Sequence, residues 1–171
     1  MKLTTKEKIA KFQKLALNPL LFKLYLLKDL PVGLLVGLRV RELNEERCKV
    51  TIPYKYLTKN PFRSIYFACL SMAAELSTGV MGVLAVRSAE VPVSMLVVCM
   101  EGDFTKKAVG RITFTCNDGQ KIFDAVAQSI AMSEGVAVTA TSIGIDEQGD
   151  KVAEFRFSWS FKPKGSPKGR S

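Results

Sequence analysis

The chain has 171 residues, 47% of them apolar and 24% charged, a composition that supports one globular domain burying roughly 70% of its unfolded surface. It contains no histidine, which excludes Ser-His-Asp and Cys-His catalysis, HExxH metalloproteases and histidine-ligated zinc deaminases. The net charge of +9 sits at the two ends: residues 1–28 hold seven lysines against one glutamate, residues 162–171 hold Lys162, Lys164, Lys168 and Arg170, and the stretch between them is −1. Basic ends without a basic groove studded with aromatics argue against a nucleic-acid partner. They suit solvation, or attraction of an acidic partner.

Residues 4–16, TTKEKIAKFQKLA, read as a helix capped by Thr4 or Thr5, with Ile9, Phe12, Leu15 and Ala16 at helical spacing. Asn18-Pro19 opens a second helix, an N-cap followed by proline at the first helical position. Leu20, Leu21, Leu24 and Leu27 form its broad apolar face, and it stops before Pro31. This basic helical segment, 1–30, is expected to pack on the core as a lid; the competing reading is an amphipathic segment lying on a membrane surface. Lysines punctuate it too often for a signal peptide.

Residues 34–43 and 47–54 read as two strands joined by a turn at Asn44 and Glu45. A long apolar run follows, from Ser64 to Val86, broken by one charge, Glu75. After Pro92, VSMLVVCM is a near-continuous apolar strand and AVGRITFTC an alternating one, with Ile112, Phe114 and Cys116 on one side. Residues 120–134 form a helix carrying Ile122, Phe123, Val126 and Ile130 that ends at Gly135. VAVTATSIGI and VAEFRFSWSF close the domain as strands, the second with Phe155, Phe157, Trp159 and Phe161 inward. The basic tail 163–171 reads as disordered. The four cysteines form no CxxC pair and read as buried free thiols of a reducing cytoplasm.

The run at 64–86 is long enough to span a bilayer, but a glutamate near its midpoint costs roughly 2.5–3.5 kcal/mol on insertion. Amphipathic strands on both sides also need a helix to cover. The run is therefore expected to be a buried central helix wrapped by one antiparallel sheet, with no transmembrane segment. At about 100° per residue, Glu75 shares a face with Ser64, Ala68, Ser71, Met72, Thr78, Gly79 and Gly82, and the bulk of Tyr66, Cys69, Leu70, Ala73, Val80 and Leu84 lies opposite. Glu75 is then either a carboxylate paired to an arginine in a tight packing seam or a functional group.

The order of elements around one long helix resembles the hotdog fold. The stretch Asn60-Pro-Phe-Arg-Ser64-Ile-Tyr66-Phe67-Ala68, followed by Glu75, resembles the active-site segment of the phenylacetate-type thioesterases. Asn60 lies six residues before Tyr66 and Glu75 nine after it, the spacing at which those enzymes carry an asparagine, a His-Gly-Gly and an acidic residue. Tyr66 stands in the histidine position and Phe67-Ala68 in that of Gly-Gly. The resemblance implies an α+β hotdog domain at 31–162. It implies an acyl-CoA or acyl-carrier thioesterase, a homodimer or dimer of dimers, needing no metal or other cofactor. By that resemblance Glu75 would be the general base or nucleophile and Asn60 the orienting amide. Tyr66, Phe67, Ala68 and Ser71 would bind substrate, with the backbone N–H of Phe67 or Ala68 as oxyanion donor, and Asn60 and Glu75 would come from different subunits. The competing reading is a non-catalytic hotdog protein that binds an acyl chain or serves as an assembly module.

Overall fold

The computed structural model describes residues 5–165; a cap at Thr4 and disorder in the tail from residue 166 lie outside the described residues. Three helices lead: α1 (Thr5–Leu17), α2 (Pro19–Asp29) and α3 (Pro31–Val36). Strands β1 (Arg39–Leu43) and β2 (Cys48–Pro53) precede the long helix α4 (Phe67–Ser88). Then come β3 (Val93–Phe104), β4 (Arg111–Cys116), α5 (Gly119–Met132), β5 (Val136–Ile145) and β6 (Lys151–Pro163). The six strands form one sheet in the order β1-β2-β4-β5-β6-β3, every pairing antiparallel.

The sheet wraps α4, as expected. Its inner row, including Val50, Ile52, Ile112, Phe114, Phe155 and Phe161, is fully buried against the helix. α4 is long and apolar enough to cross a membrane, but most of it is enclosed by the sheet, α1 and α5, which makes it a core helix. On its Glu75 face the small residues admit side chains from the sheet. A Cβ on Gly79 would lie 3.2 Å from the Trp159 ring, and one on Gly82 would lie 2.8 Å from Met95 Cε. The stripe is thus largely a packing seam, with Glu75 at its edge.

Four expectations need correction. Residues 34–36 belong to α3, not to a strand, because Pro31 starts that helix and Gly37 ends it at φ +82°, a conformation glycine adopts without a Cβ penalty. α4 begins at Phe67 rather than Ser64, since the Ile65 N–H donates to the Ala108 carbonyl and Lys59 bridges Ile65, which commits 59–65 to a loop. Pro163 ends β6 and the Lys164 N–H donates to the Pro92 carbonyl, so the tail is ordered to that point. Cys99 is exposed, while Cys48, Cys69 and Cys116 are buried; all four are free.

The leading helices do pack on the core, through Ile9, Phe12 and Ala16 of α1 and Phe22 and Leu26 of α2. Asn18 caps α2, its Oδ1 accepting the N–H groups of Leu20 and Leu21 at 3.0 Å each. The broad leucine face, however, is not the one that packs on the core. α2 has two apolar arcs, and the one bearing Phe22 and Leu26 is buried while Leu20, Leu21, Leu24 and Leu27 face solvent.

Candidate active site

Two hollows lie along α4, and the expected site residues divide between them. The first is a cleft of about 530 Å³ at the start of α4, lined by Asn60, Tyr66, Phe67, Phe104, Lys106 and Lys107 among others. The N–H of Tyr66 donates to the Thr58 carbonyl at 2.7 Å, which fixes the entry into the helix. Phe67 packs edge-on to Tyr66 and to Phe104, at ring-centre distances of 4.8 and 6.3 Å. Tyr66 and Phe67 remain about half exposed. The N–H groups of Phe67 and Ala68 fall in the first turn, where a helix leaves its donors without intrahelical acceptors. They are therefore available to a negatively charged oxygen. Tyr66 supplies no side-chain cap to compete for them.

Asn60 is less free. Its Oδ1 accepts the N–H groups of Phe62 at 3.0 Å and Ser64 at 3.2 Å, and its Nδ2 donates to Ser64 Oγ at 3.0 Å. Asn60 thus builds an Asx-type turn around Arg63, which takes φ 58°.

The second hollow, about 270 Å³, lies further along α4 and holds Glu75. Its walls are mostly apolar: Phe12 from α1, Tyr25 from α2, Met95 from β3 and Trp159 from β6, with Asp29 as a second carboxylate. Trp159 is anchored, its Nε1–H donating to Thr78 Oγ1 at 2.9 Å, and Thr78 Oγ1 in turn donates to the Glu75 carbonyl at 3.0 Å. Among the described residues no side chain donates to the Glu75 carboxylate and none forms an ion pair with it. Burial alone pushes its pKa up to about 6, because the charged form loses hydration without gaining a partner. Arg87, further along α4, stacks on the rings of Phe12 and Tyr25 at 4.7 and 5.9 Å.

Within one chain, then, Asn60, Tyr66 and Phe67 share a cleft, and Glu75 does not join them. Phe67 and Glu75 are eight residues apart on one helix, roughly 12 Å along its axis. Ser71 sits between, its hydroxyl directed at Met100 Sδ at 3.1 Å, and Ala68 lines neither hollow. The β3 residues Met95, Met100 and Phe104 run alongside this whole span. Sequence reasoning missed the role of α2 as a wall of the Glu75 cavity. The only signal was Tyr25, on the arc of α2 away from Leu20, Leu24 and Leu27. Among the described residues no group of three or more Cys, Asp or Glu side chains is placed to hold a metal ion.

Residues 20–161 match the family described as Domain of unknown function (DUF4442). The chain belongs to this family. No curated protein matches the DUF4442 chain in sequence. Among solved structures it resembles a Pseudomonas aeruginosa protein of unknown function described as a probable thioesterase, with a TM-score of 0.69 and 21% identity over 85% of this chain and 97% of that one. It also resembles a Haemophilus influenzae thioesterase, TM-score 0.59, 10% identical over 100% of this chain and 97% of that one. The PaaI protein of the Escherichia coli phenylacetic acid degradation operon is similar at TM-score 0.60 and 11% identity, over 95% of this chain and 98% of that one. These likenesses establish that the DUF4442 chain has the hotdog fold of thioesterase-family proteins.

Proposed function

We propose that this protein hydrolyses acyl thioesters, with Glu75 as general base or nucleophile. One observation carries the reading: a carboxylate with no ion-pair partner among the described residues faces a mostly apolar cavity on the central helix of a hotdog fold. Apolar walls suit the acyl chain. With its pKa raised to about 6, Glu75 is mostly ionised at neutral pH and more basic than an ordinary carboxylate. As a base it takes a proton from water while the water oxygen bonds to the acyl carbon. The C–S bond then breaks, and the thiolate of coenzyme A or an acyl carrier leaves with that proton. As a nucleophile its carboxylate oxygen bonds to the acyl carbon, the C–S bond breaks to release the thiolate, and water then cleaves the mixed anhydride to the free acid and the regenerated carboxylate. The N–H groups of Phe67 and Ala68 take the developing oxyanion.

In this reading the working unit is a homodimer. β3 is an edge strand of 12 residues, with Leu96, Val98, Met100 and Phe104 exposed, and a long apolar edge invites a partner strand. Antiparallel pairing of two β3 strands centred between Val98 and Cys99 would set Phe104 of one copy opposite Val93 of the other. That carries the Tyr66–Phe67 cleft of one subunit toward Met95, and so toward the Glu75 cavity, of its partner. The free cysteines suit a cytoplasmic setting.

A second reading, a non-catalytic acyl binder, is favoured by the engagement of the Asn60 amide in its own loop. Thiol release from a panel of acyl-CoA esters separates the two. Hydrolysis that depends on acyl length is expected. Tight binding of the esters with no thiol released would replace the hydrolase reading with the second.

A further inference from the structure

The exposed arc of α2 is the least expected surface of the molecule. Leu20, Leu24 and Leu27 are 67%, 56% and 60% exposed, and at about 100° per residue they fall within roughly 60° of one another. Val32 and Leu35 of α3 are exposed just beyond them. Single exposed leucines need no explanation, but a contiguous set marks a contact surface. Lys23 and Lys28 lie on either side of the leucine stripe, and neither forms an ion pair among the described residues. The cationic border continues across the neighbouring sheet. Lys23 shares a groove with Arg39 and Arg41. Those two arginines line a further cleft of about 320 Å³ with Lys55 and Arg111. Among the described residues, only Arg111 of these five side chains meets an acid, Glu147 at 3.8 Å.

We infer that this face docks on an anionic membrane surface, with α2 lying in the plane of the interface. An apolar stripe rimmed by lysines is the pattern of an interfacial helix: the leucines enter the acyl boundary while the ammonium groups remain among the headgroups. The charge argues for lipid over a second copy. A two-fold contact through this face sets the same cations against each other, whereas anionic headgroups neutralise them. The docked helix also walls the Glu75 cavity through Tyr25 and Asp29, which would bring the cavity to the membrane surface. The inference does not depend on the hydrolase reading, because its test measures partition and not turnover.

The test is co-sedimentation of the full chain with phosphatidylcholine vesicles, with and without phosphatidylserine, across a salt series. The wild-type chain is expected to pellet with phosphatidylserine vesicles and to be released by salt. The double variant Leu24→Glu/Leu27→Glu should bind more than about tenfold more weakly, and Lys23→Gln/Lys28→Gln several-fold more weakly with a shallower salt dependence. Both pairs are on the surface, and circular dichroism checks that the fold is retained. A wild-type chain that stays in the supernatant overturns the inference, as do leucine variants that bind as well as wild type. So does a chain that ignores vesicles but falls to a smaller assembly on size exclusion when the leucines are replaced, which would assign the face to a second copy.

Discussion

The two hollows along α4 use the same helix in opposite ways. At its start, the cleft is wide and open, with first-turn backbone donors that have no acceptor among the described residues, but the side chain expected to orient the substrate is engaged: every hydrogen bond described for the Asn60 amide serves residues 62–64. Further along, the Glu75 cavity is smaller and walled by α1 and α2, and its carboxylate has no partner among the described residues. Both residues occupy the expected spacing. Spacing therefore locates a residue, and the surrounding bonds decide whether its chemistry is still free.

The sharpest way to break this contrast is at Glu75. Glu75→Gln is expected to slow thioester hydrolysis by about 10²–10⁴-fold, because the amide can accept no proton and attack no carbonyl. A variant that turns over acyl-CoA at the wild-type rate removes Glu75 from the chemistry. Gly79→Ala tests the cavity wall instead. Its new Cβ would lie 3.0 Å from Glu75 Oε1 and 3.2 Å from the Trp159 ring. Crowding of that kind should cost about 1–3 kcal/mol in urea unfolding and displace the carboxylate, lowering kcat. Unchanged stability and turnover would show a roomier cavity than the one described.

The same carboxylate has a signature in folding. Its pKa is raised from the ordinary 4.5 to about 6 in the folded chain, so the folded state holds the proton more tightly. That contribution is present in full below about pH 4.5 and is lost as pH rises through about 6, a change of about 2 kcal/mol. Relative to wild type, Glu75→Gln should therefore gain up to about 2 kcal/mol from pH 4 to pH 8. Taking the difference between the two profiles isolates the contribution of Glu75. Parallel profiles would mean that burial does not hold the proton. The smallest effect is expected at Asn60. Asn60→Ala leaves backbone donors of the loop unsatisfied and should lower stability by about 1–2 kcal/mol, with a modest loss of turnover. A loss of turnover as large as that of Glu75→Gln, without a stability change, would make Asn60 a partner in the reaction.

Much of the fold was legible because its signals are local and repeated. Phe155, Phe157, Trp159 and Phe161 alternate inward as read, and the long apolar run becomes the enclosed α4. What misled was ambiguity of face and of boundary. α2 offers two apolar arcs, and only tertiary packing selects Phe22 and Leu26 over the leucines. The short α3 was hidden in a run of apolar residues that suits strand or helix equally, although Pro31 and Gly37 bracket it. For the site, the position of Glu75 on a small-residue face was readable from helical periodicity. The engagement of Asn60 in its own turn was not, because it depends on the backbone at Arg63. The division of the residues between two hollows arises from packing, which no spacing encodes.

The most direct measurement is the pH dependence of thiol release from an acyl-CoA ester by the wild-type protein. If the free carboxylate in the second hollow drives the reaction, kcat/KM should fall with unit slope below a single apparent pKa near 6 and level off above it. A rate that is flat between about pH 5 and pH 8, on a chain that remains folded throughout, would contradict a catalytic role for Glu75.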